Sequence, residues 1–308
     1  MSVMNRVFWI VLIVAGLIAP HFVYPVFAMK LLCFALFACA FNLLLGYAGL
    51  LSFGHAAFFG GAAYITGHAV KVWGLSPLPG ILVGTLFAMV LGAIFGSLAI
   101  RRQGIYFAMI TLALAQIIFF LALKLPFTGG ENGLQGVPRG TLLGVVDLSD
   151  PIAMYYVVFA IFMIGFLIIY RTVHSPFGQI LTAIRENEPR ARSLGYDVER
   201  FKLIAFTISA ALAGTAGATK ALVFQFASLT DVHWQMSGEV VLMTLLGGMG
   251  TLFGPVAGAV TIVTLQNELA GFGSWVQVAI GSIFVVCVLL FRRGFVGELA
   301  RRLGAKSA

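Results

Sequence analysis

Charged residues are scarce in this sequence. Aspartate, glutamate, lysine and arginine make up 10% of its 308 residues, whereas 60% of the residues are hydrophobic. An ordinary soluble domain is about 25% charged. A chain of this composition has too little polar surface to face water on all sides, which argues against a soluble enzyme with a large core. The composition predicts a protein that lies in a lipid bilayer.

Cysteine is also rare. Cys33, Cys39 and Cys287 lie apart within apolar runs and lack metal-type spacing, so a disulfide framework or a zinc site has no support. The histidines show none of the pairings that an intramembrane enzyme would need. No Gly-x-x-x-x-Gly-Lys-Ser/Thr phosphate loop occurs in the sequence. We therefore expect no catalytic residue, metal or cofactor in this chain.

Long hydrophobic runs are present instead. A membrane helix needs about 20 apolar residues. The candidate spans of this kind are Val7–Phe27, Met29–Gly46, Leu51–Val70, Pro79–Ile100, Gly104–Leu123, Ile152–Tyr170 and Leu203–Phe226. The first run could instead be a signal peptide, but its length favours a retained span.

The basic residues give the chain a net charge of +8 and are concentrated in hydrophilic breaks. These breaks contain Arg101 and Arg102, a group between Arg171 and Lys202, and a tail with Arg292, Arg293, Arg301, Arg302 and Lys306. The positive-inside rule assigns the breaks and both termini to the cytoplasm. The mainly acidic loop over residues 125–150 is then extracytoplasmic. A nucleic-acid role is disfavoured, because an apolar chain offers no soluble basic face.

The alternation of loops predicts the number of crossings. The span at Leu203–Phe226 ends on the extracytoplasmic side, whereas the basic tail is expected in the cytoplasm. An odd number of crossings must therefore lie between Ser237 and Phe291. Three crossings fit, with breaks at Gly247–Gly250 and Gly271–Ser274, which gives about ten in total. The part over Ser237–Leu246 is too short to cross alone and is compatible with a broken or re-entrant helix. We expect an all-α polytopic membrane protein in which residues 1–308 form one transmembrane domain.

The first of three informative segments, Asn42–Tyr64, is rich in glycine. Glycines let backbones pack closely, or unwind where the protein lines a cavity. Ser52 and His55 add polar side chains at this depth. Ser52, Gly54 and His55 are therefore candidates for the wall of a path across the membrane. The alternative is a close helix crossing with one hydrogen-bonded histidine.

The second segment is Leu245–Ala259. Its Gly-Gly-Met-Gly stretch predicts the end of one helix, and Pro255 suits the first turn of the next. Gly-Leu-Leu-Ser-Phe-Gly from residue 49 loosely echoes Gly-Thr-Leu-Phe-Gly from residue 250. This echo hints at an internal duplication, which is common in transporters.

The third segment, Ser175–Lys202, is the extended hydrophilic part of the chain. Ser175 precedes a proline and is typical of a helix N-cap. Glu188 also precedes a proline and can begin a second short helix, which Gly195 would end. Asp197 then caps the helix that re-enters the membrane. The pattern predicts a cytoplasmic helical hairpin suited to docking a soluble partner; the alternative is a solvated loop with ordinary caps.

Together the three segments resemble the LivM-type permeases of ABC importers. The most specific stretch is Gly49–Gly60, Ala183–Tyr196 resembles the coupling segment of this family, and Gly247–Gly258 resembles its third signature. The resemblance implies the fold of the cobalamin-type (type II) importer permeases, in the bacterial cytoplasmic (inner) membrane. It also implies that the hairpin over residues 172–202 couples to ATPases. The expected contact residues are Arg185, Glu186, Glu188, Arg190, Arg192 and Leu194.

The same resemblance implies partners and a substrate class. A LivH-type permease subunit, two ABC ATPase subunits that bind ATP and Mg, and an extracytoplasmic substrate-binding protein are expected, besides membrane lipid. Branched-chain amino acids are the default substrate, with urea, amides, and aromatic or dicarboxylic acids as alternatives. An ion-coupled secondary transporter is the alternative of another class. It needs an ionisable residue near the midplane, whereas Glu239 and Glu268 lie near predicted span ends.

Overall fold

The computed structural model describes residues 3–142, 146–273, 278–279, 281–285, 294 and 298, and the described chain is mainly helical. Its α-helices are α1 (Val3–Phe22), α2 (Pro25–Asn42), α3 (His55–Lys71), α4 (Pro77–Ala99), α5 (Ile105–Lys124), α6 (Pro151–Val173), α7 (Pro176–Glu186), α8 (Glu188–Ser193), α9 (Val198–Phe224), α10 (Leu229–Val232), α11 (Trp234–Gly247) and α12 (Gly254–Glu268). Two-residue strands are β1 (Leu134–Gln135), β2 (Thr141–Leu142), β3 (Val146–Asp147) and β4 (Phe226–Ala227).

Among the described residues, five helical segments are long and apolar enough to cross a membrane. They are Pro25–Tyr47, Pro77–Ala99, Ile105–Lys124, Pro151–Val173 and Val198–Phe224. These segments confirm an all-α polytopic membrane protein. The four spans predicted to start at Pro79, Gly104, Ile152 and Leu203 each coincide with one of these helices over most of their length.

The predicted boundary between the first two spans was wrong. The sequence placed it after Phe27, whereas α1 ends at Phe22 and α2 begins at Pro25. Tyr24 has φ −53° and ψ 122°, the extended conformation that a following proline imposes. Pro25 then occupies the first turn of α2, where its missing amide hydrogen is not needed. The apolar run hid this break because both helices are hydrophobic.

The third predicted span also began too early. Helix α2 passes into a π-helical turn over Leu43–Tyr47, and α3 begins only at His55, not at Leu51. Gly49 between them has φ +71°, a left-handed conformation that glycine adopts readily. The glycine-rich segment therefore unwinds the chain, which is one of the two outcomes that its composition allowed.

The core of the bundle is built around α2 and α9. In the most apolar 18 residues of Pro25–Tyr47, 78% of the residues are buried, whereas the corresponding shares in α4 and α5 are only 33% and 28%. Helices α4 and α5 therefore present apolar side chains outward. Small residues bring α9 against α3: a Cβ added at Gly217 would collide with the carbonyl of Phe59. This close packing is typical of membrane helices, which gain little from burying apolar surface away from lipid.

Two loop regions close opposite ends of the bundle. At one end, called the loop end, β1 pairs antiparallel with β4, and the Arg139 Nη2 donates a 2.7 Å hydrogen bond to the carbonyl of Val223. Strands β2 and β3 pair with each other nearby. At the other end, called the hairpin end, α7 and α8 fold against the start of α9.

Helices α11 and α12 form a tight antiparallel pair. They have 14 and 15 residues. Each therefore rises only about 21 to 23 Å, less than the ~30 Å of a bilayer core. The predicted break at Gly247–Gly250 and the place of Pro255 in the first turn of α12 are confirmed. The last predicted crossing, up to Phe291, lies largely outside the described residues, and the basic residues of the tail, from Arg292 onward, lie outside them.

Candidate functional site

The hairpin end is built by local capping. Ser175, Asn187 and Asp197 each accept a hydrogen bond on the side-chain oxygen from the backbone amide three residues later. Gly195 follows α8 with φ +88°, which suits a helix end. The helices predicted from Ser175 and Asp197 are confirmed. Sequence reasoning missed Asn187, although an asparagine directly before an acidic residue and a proline is a usual N-cap signal.

Glu188 fastens the hairpin to the membrane helix. Its carboxylate lies 2.6 Å from the Nζ of Lys202 in α9 and 3.0 Å from the Nη2 of Arg192 in α8. Burial by itself would raise the pKa of Glu188, but the hydrogen bonds and positive charges of Lys202 and Arg192 outweigh it and hold the pKa below its usual value. Glu188 thus serves the internal structure of the hairpin.

Arg185 is exposed, yet its side chain reaches the glycine-rich turn after α2. Its guanidinium Nη1 donates a hydrogen bond to the backbone carbonyl of Gly46. Its aliphatic stem lies over Gly49, where an added Cβ would be 2.7 Å from the Cγ of Arg185. A side chain at residue 49 would therefore push the arginine away.

Asn42 ties the same turn to the second glycine-rich segment. Its Nδ2 donates a 2.9 Å hydrogen bond to the carbonyl of Thr251, and its Oδ1 accepts a 3.0 Å bond from the amide of Gly250. Asn42, Gly46, Arg185, Gly250 and Thr251 are called the junction below. The sequence indicated all three segments that meet here, but not that they meet. It also gave no role to Asn42.

The outer surface of the hairpin carries a mixed patch. Glu186 and Arg190 are exposed. Leu194 is 69% exposed and Tyr196 is 41% exposed. These four residues are called the hairpin tip below. Large apolar side chains held in water beside charged ones are typical of a protein-docking surface. Of the six predicted contact residues, Glu186, Arg190 and Leu194 lie on this tip and Arg192 is partly engaged by Glu188. Arg185 is exposed but bonds to Gly46, and Glu188 is partly buried in its ion pair with Lys202.

His55 is enclosed where several helices cross. Its Nε2 lies 2.8 Å from the Oγ of Ser209, and that hydroxyl donates to the carbonyl of Ala40 at 2.5 Å. Because a hydroxyl has one proton, Nε2 of the imidazole must be the donor to Ser209, and Nδ1 carries no proton in the neutral ring. The ring also makes edge contacts with Phe41 and Phe58 at centroid distances of 5.0 and 5.5 Å.

Ser52 and Gly54 lie beside His55 in the same packed crossing. Ser52 Oγ accepts a 3.1 Å hydrogen bond from the amide of Gly54, and the amide of Phe53 donates to Thr111 at 3.2 Å. Ser52 and His55 are fully buried. This geometry matches the alternative of a close helix crossing with a hydrogen-bonded histidine. The assignment of these residues to a path stays a prediction.

Charged side chains inside the bundle were overlooked in the sequence. Lys30 lies in α2, Lys220 in α9 and Asp231 in α10, and Glu239 is partly buried in the second turn of α11. A single ionisable residue inside an apolar run is the signal that would have found Lys30 and Lys220. In the described part of the chain, no three His, Cys, Asp or Glu side chains come together as a possible metal site.

Comparison with known families gives a match over most of the chain. Residues 26–292 match the family described as the permease component of branched-chain amino acid transport systems. No solved structure matches the chain.

Curated relatives give the same picture. The chain is 29% identical to the high-affinity branched-chain amino acid transport system permease protein LivM of Escherichia coli K12, over 86% of this chain and 68% of the relative. It is 24% identical to the probable branched-chain amino acid transport permease protein LivM of Methanocaldococcus jannaschii, over 83% and 85% of the two chains. The ribose import permease protein RbsC of Bacillus subtilis is 32% identical, over 54% and 52%.

Proposed function

The chain belongs to the permease-component family of branched-chain amino acid transport systems, and from this membership we propose that it is the membrane-spanning subunit of an ATP-driven importer for branched-chain amino acids. The observation that carries the proposal is the extent of the match, which runs from the start of α2 to beyond α12. A permease of this kind breaks no covalent bond in its substrate, so the chain is a transport subunit and not an enzyme.

The proposed setting is the bacterial cytoplasmic (inner) membrane, with about ten crossings and both termini in the cytoplasm. The hairpin end is then cytoplasmic and the loop end extracytoplasmic. Residues 1–308 form one transmembrane domain, with a coupling hairpin at 172–202 and an extracytoplasmic loop at 125–150. The loop–charge pattern supports this orientation. The pairing of short α11 with short α12 is compatible with the type II importer fold.

The hairpin tip is the proposed contact with the ATPases. An importer must transmit movement of its ATPases to the membrane helices, which needs a rigid element that touches both. The ion pairs of Glu188 with Lys202 and Arg192 provide the rigidity. Arg185 provides the contact with the membrane part through Gly46, and Asn42 extends it to Gly250.

Movement of the hairpin would therefore act on two breaks in the helices at once. The turn after α2 contains Gly46, and the break between α11 and α12 contains Gly250. The first is a π-helical turn and the second is non-helical, and both depart from the regular α-helix. We propose that these breaks are the hinges of alternating access. Ser52, Gly54 and His55, which directly follow the first hinge, are the proposed path-side residues of this chain.

The proposed partners are a LivH-type permease subunit, two ABC ATPase subunits that hold ATP and Mg, and an extracytoplasmic binding protein that delivers the substrate. In this arrangement the binding protein docks at the loop end. Exposed apolar residues on α4 and α5, such as Leu86 and Met109, would face lipid or the second permease.

Reconstitution of the complete importer in proteoliposomes tests the function. Labelled leucine, isoleucine and valine are supplied with the binding protein, and ATP is present or absent inside. Uptake that requires ATP and survives an uncoupler is expected. Uptake that collapses with the uncoupler but not with ATP depletion would identify an ion-coupled transporter. Competition by urea, amides, aromatic acids or dicarboxylic acids tests the alternative substrates.

A further inference from the structure

Four charged side chains come together inside the helical bundle. The Nζ of Lys220 lies 2.5 Å from Oδ1 of Asp231, and their side chains are only 12% and 2% exposed. Lys30 interacts electrostatically with both Lys220 and Glu239. Glu239 accepts a 3.1 Å hydrogen bond from Nε2 of Gln266. The group contains two positive and two negative charges and is called the charged cluster below.

The charged cluster lies between the helices on the side of the loop end, since Lys220 comes one turn before Val223 and Asp231 comes four residues after β4. A Cβ added at Gly60, the sixth residue of α3, would lie 2.6 Å from the backbone carbon of Asp231. The short helix α10 therefore lies against the middle of α3. Ions at such a depth are costly, and proteins keep them there mainly for a structural or a transport role.

The surroundings of Tyr64 favour the transport role over the structural role. It lies in the middle of α3, is 2% exposed, and comes one turn after Gly60, on the face of α3 that Asp231 and Val232 pack against. Its hydroxyl is buried and has no hydrogen-bond partner. A buried hydroxyl that bonds to nothing adds nothing to the fold and costs desolvation. A polar ligand held beside Asp231 would give this hydroxyl a partner.

The charge pattern indicates the chemistry of the ligand. A simple anion or cation placed in the charged cluster would leave one charge without compensation. A zwitterion adds one charge of each sign and keeps the total at zero. Lys220 can also release Asp231 without losing every contact, because its Nζ lies 5.6 Å from the ring centroid of Phe224. Lys30, Glu239 and Gln266 are partly exposed and give the cluster access from the surface of the subunit.

We propose that the charged cluster and Tyr64 form a binding site for the amino-acid backbone in the translocation path. The α-ammonium group is received by Asp231 and Glu239, and the α-carboxylate by Lys220, Lys30 and the hydroxyl of Tyr64. The proposal rests on the proposed function, since it assigns the site for the substrate of that same importer. When the substrate binds, the ion pair of Lys220 with Asp231 is replaced by two ion pairs with the zwitterion. The charged groups of the substrate can therefore cross this region without being left unpaired.

Tyr64→Phe in the complete importer is the decisive test. The substitution removes only the unpartnered hydroxyl, so the unfolding temperature of the purified complex is expected to stay the same or rise. Leucine uptake at subsaturating concentration is expected to fall about tenfold, the effect of losing one hydrogen bond to a charged group. Tyr106→Phe, at an exposed tyrosine at the start of α5, is the matched control and is expected to transport like the wild type.

A second variant addresses the charges. Lys220→Met combined with Asp231→Asn keeps the charged cluster neutral overall, so neither charge is left buried alone. The double variant is expected to assemble with its partners and to lose amino-acid uptake. Wild-type uptake by Tyr64→Phe, or a loss of uptake together with a lowered unfolding temperature, would overturn the site. If the wild-type importer itself moves no amino acid, the proposed function fails and this site fails with it.

Discussion

The guanidinium of Arg185 donates a hydrogen bond to the backbone carbonyl of Gly46, 139 residues away in the sequence. Gly46 lies so close to the second break that a Cβ added to it would be 2.6 Å from the amide nitrogen of Gly250. One side chain from a water-exposed hairpin thus contacts the place where two interrupted helices meet. This relationship links the surface that a partner can reach to the part of the bundle that can bend.

Arg185→Ala is expected to uncouple the importer. The substitution removes the contact with Gly46 but leaves the hairpin tip and the ion pairs of Glu188 in place. ATP-dependent uptake in proteoliposomes should fall at least tenfold, while the ATPases still co-purify with the permease.

Arg171→Ala is the control for this prediction. Arg171 lies in the last turn of α6 at the same end of the bundle and is exposed. Removal of its charge should leave uptake within about twofold of the wild type, as expected for a surface charge. Equal effects of the two substitutions would show that charge at this end matters, and not the Arg185–Gly46 contact.

Glu186→Ala combined with Arg190→Ala tests the hairpin tip. Both side chains are exposed, so their removal should not affect folding or membrane insertion. Transport is expected to be abolished because the ATPases lose their contact. Normal ATP-dependent uptake by this double variant would refute the coupling role of the tip. Co-purification of the ATPases distinguishes loss of docking from loss of insertion.

Gly258→Ala is expected to destabilise the pairing of α11 with α12. A Cβ at this position would collide with the carbonyl of Met243, a backbone atom that cannot move aside as a side chain can. The cost is on the order of 1 to 3 kcal/mol, seen as a lower unfolding temperature in detergent. Gly238→Ala is the matched control, since no atom lies within 4 Å of its Cβ position. It should be neutral or stabilising by up to about 1 kcal/mol.

The ion pairs of Glu188 should make the stability of the hairpin depend on pH. Its pKa is held below the usual value by Lys202 and Arg192, against the opposing effect of burial. The stabilisation is therefore complete above the ordinary glutamate pKa of about 4.3, and is lost as the pH falls from there through the lowered pKa of the folded state. The distribution of distances between spin labels that replace Ser193 and Arg200 should broaden over this pH range.

Two variants check this assignment. Glu188→Gln should show the broad distance distribution already at neutral pH and no further change on acidification. Glu186→Gln, at an exposed neighbour, should keep the response of the wild type. A response that persists in Glu188→Gln would assign the pH dependence to another group.

Much of the fold could be predicted because its signals are local. The helices that start at Pro77, Ile105 and Pro151 follow from uninterrupted apolar runs, and the hairpin follows from the caps at Ser175 and Asp197. The end of α1 at Phe22 could not be predicted from hydropathy, because the residues on both sides are equally apolar. The prolines at residues 20 and 25 were the available signals.

The candidate site was predicted in parts but not as an arrangement. Glu188 and Arg185 were expected to contact a partner, yet one is ion-paired with Lys202 and the other lies against Gly46. Sequence reasoning could rank charged residues in a hydrophilic segment, but it could not tell which of them face the membrane helices. The direction of a side chain depends on how the hairpin packs, which distant residues determine.

The amino-acid sequence by itself determined that this protein lies in a membrane, where most of its helices run, and which family it resembles. These properties depend on composition, on the lengths of apolar runs, on short motifs and on caps within a few residues of each other. Only the tertiary structure decided that Arg185 meets Gly46, that Asn42 holds Gly250, and that Lys220 pairs with Asp231 inside the bundle. Each of these contacts needs two elements to pack in one orientation, and that orientation is a property of the whole bundle.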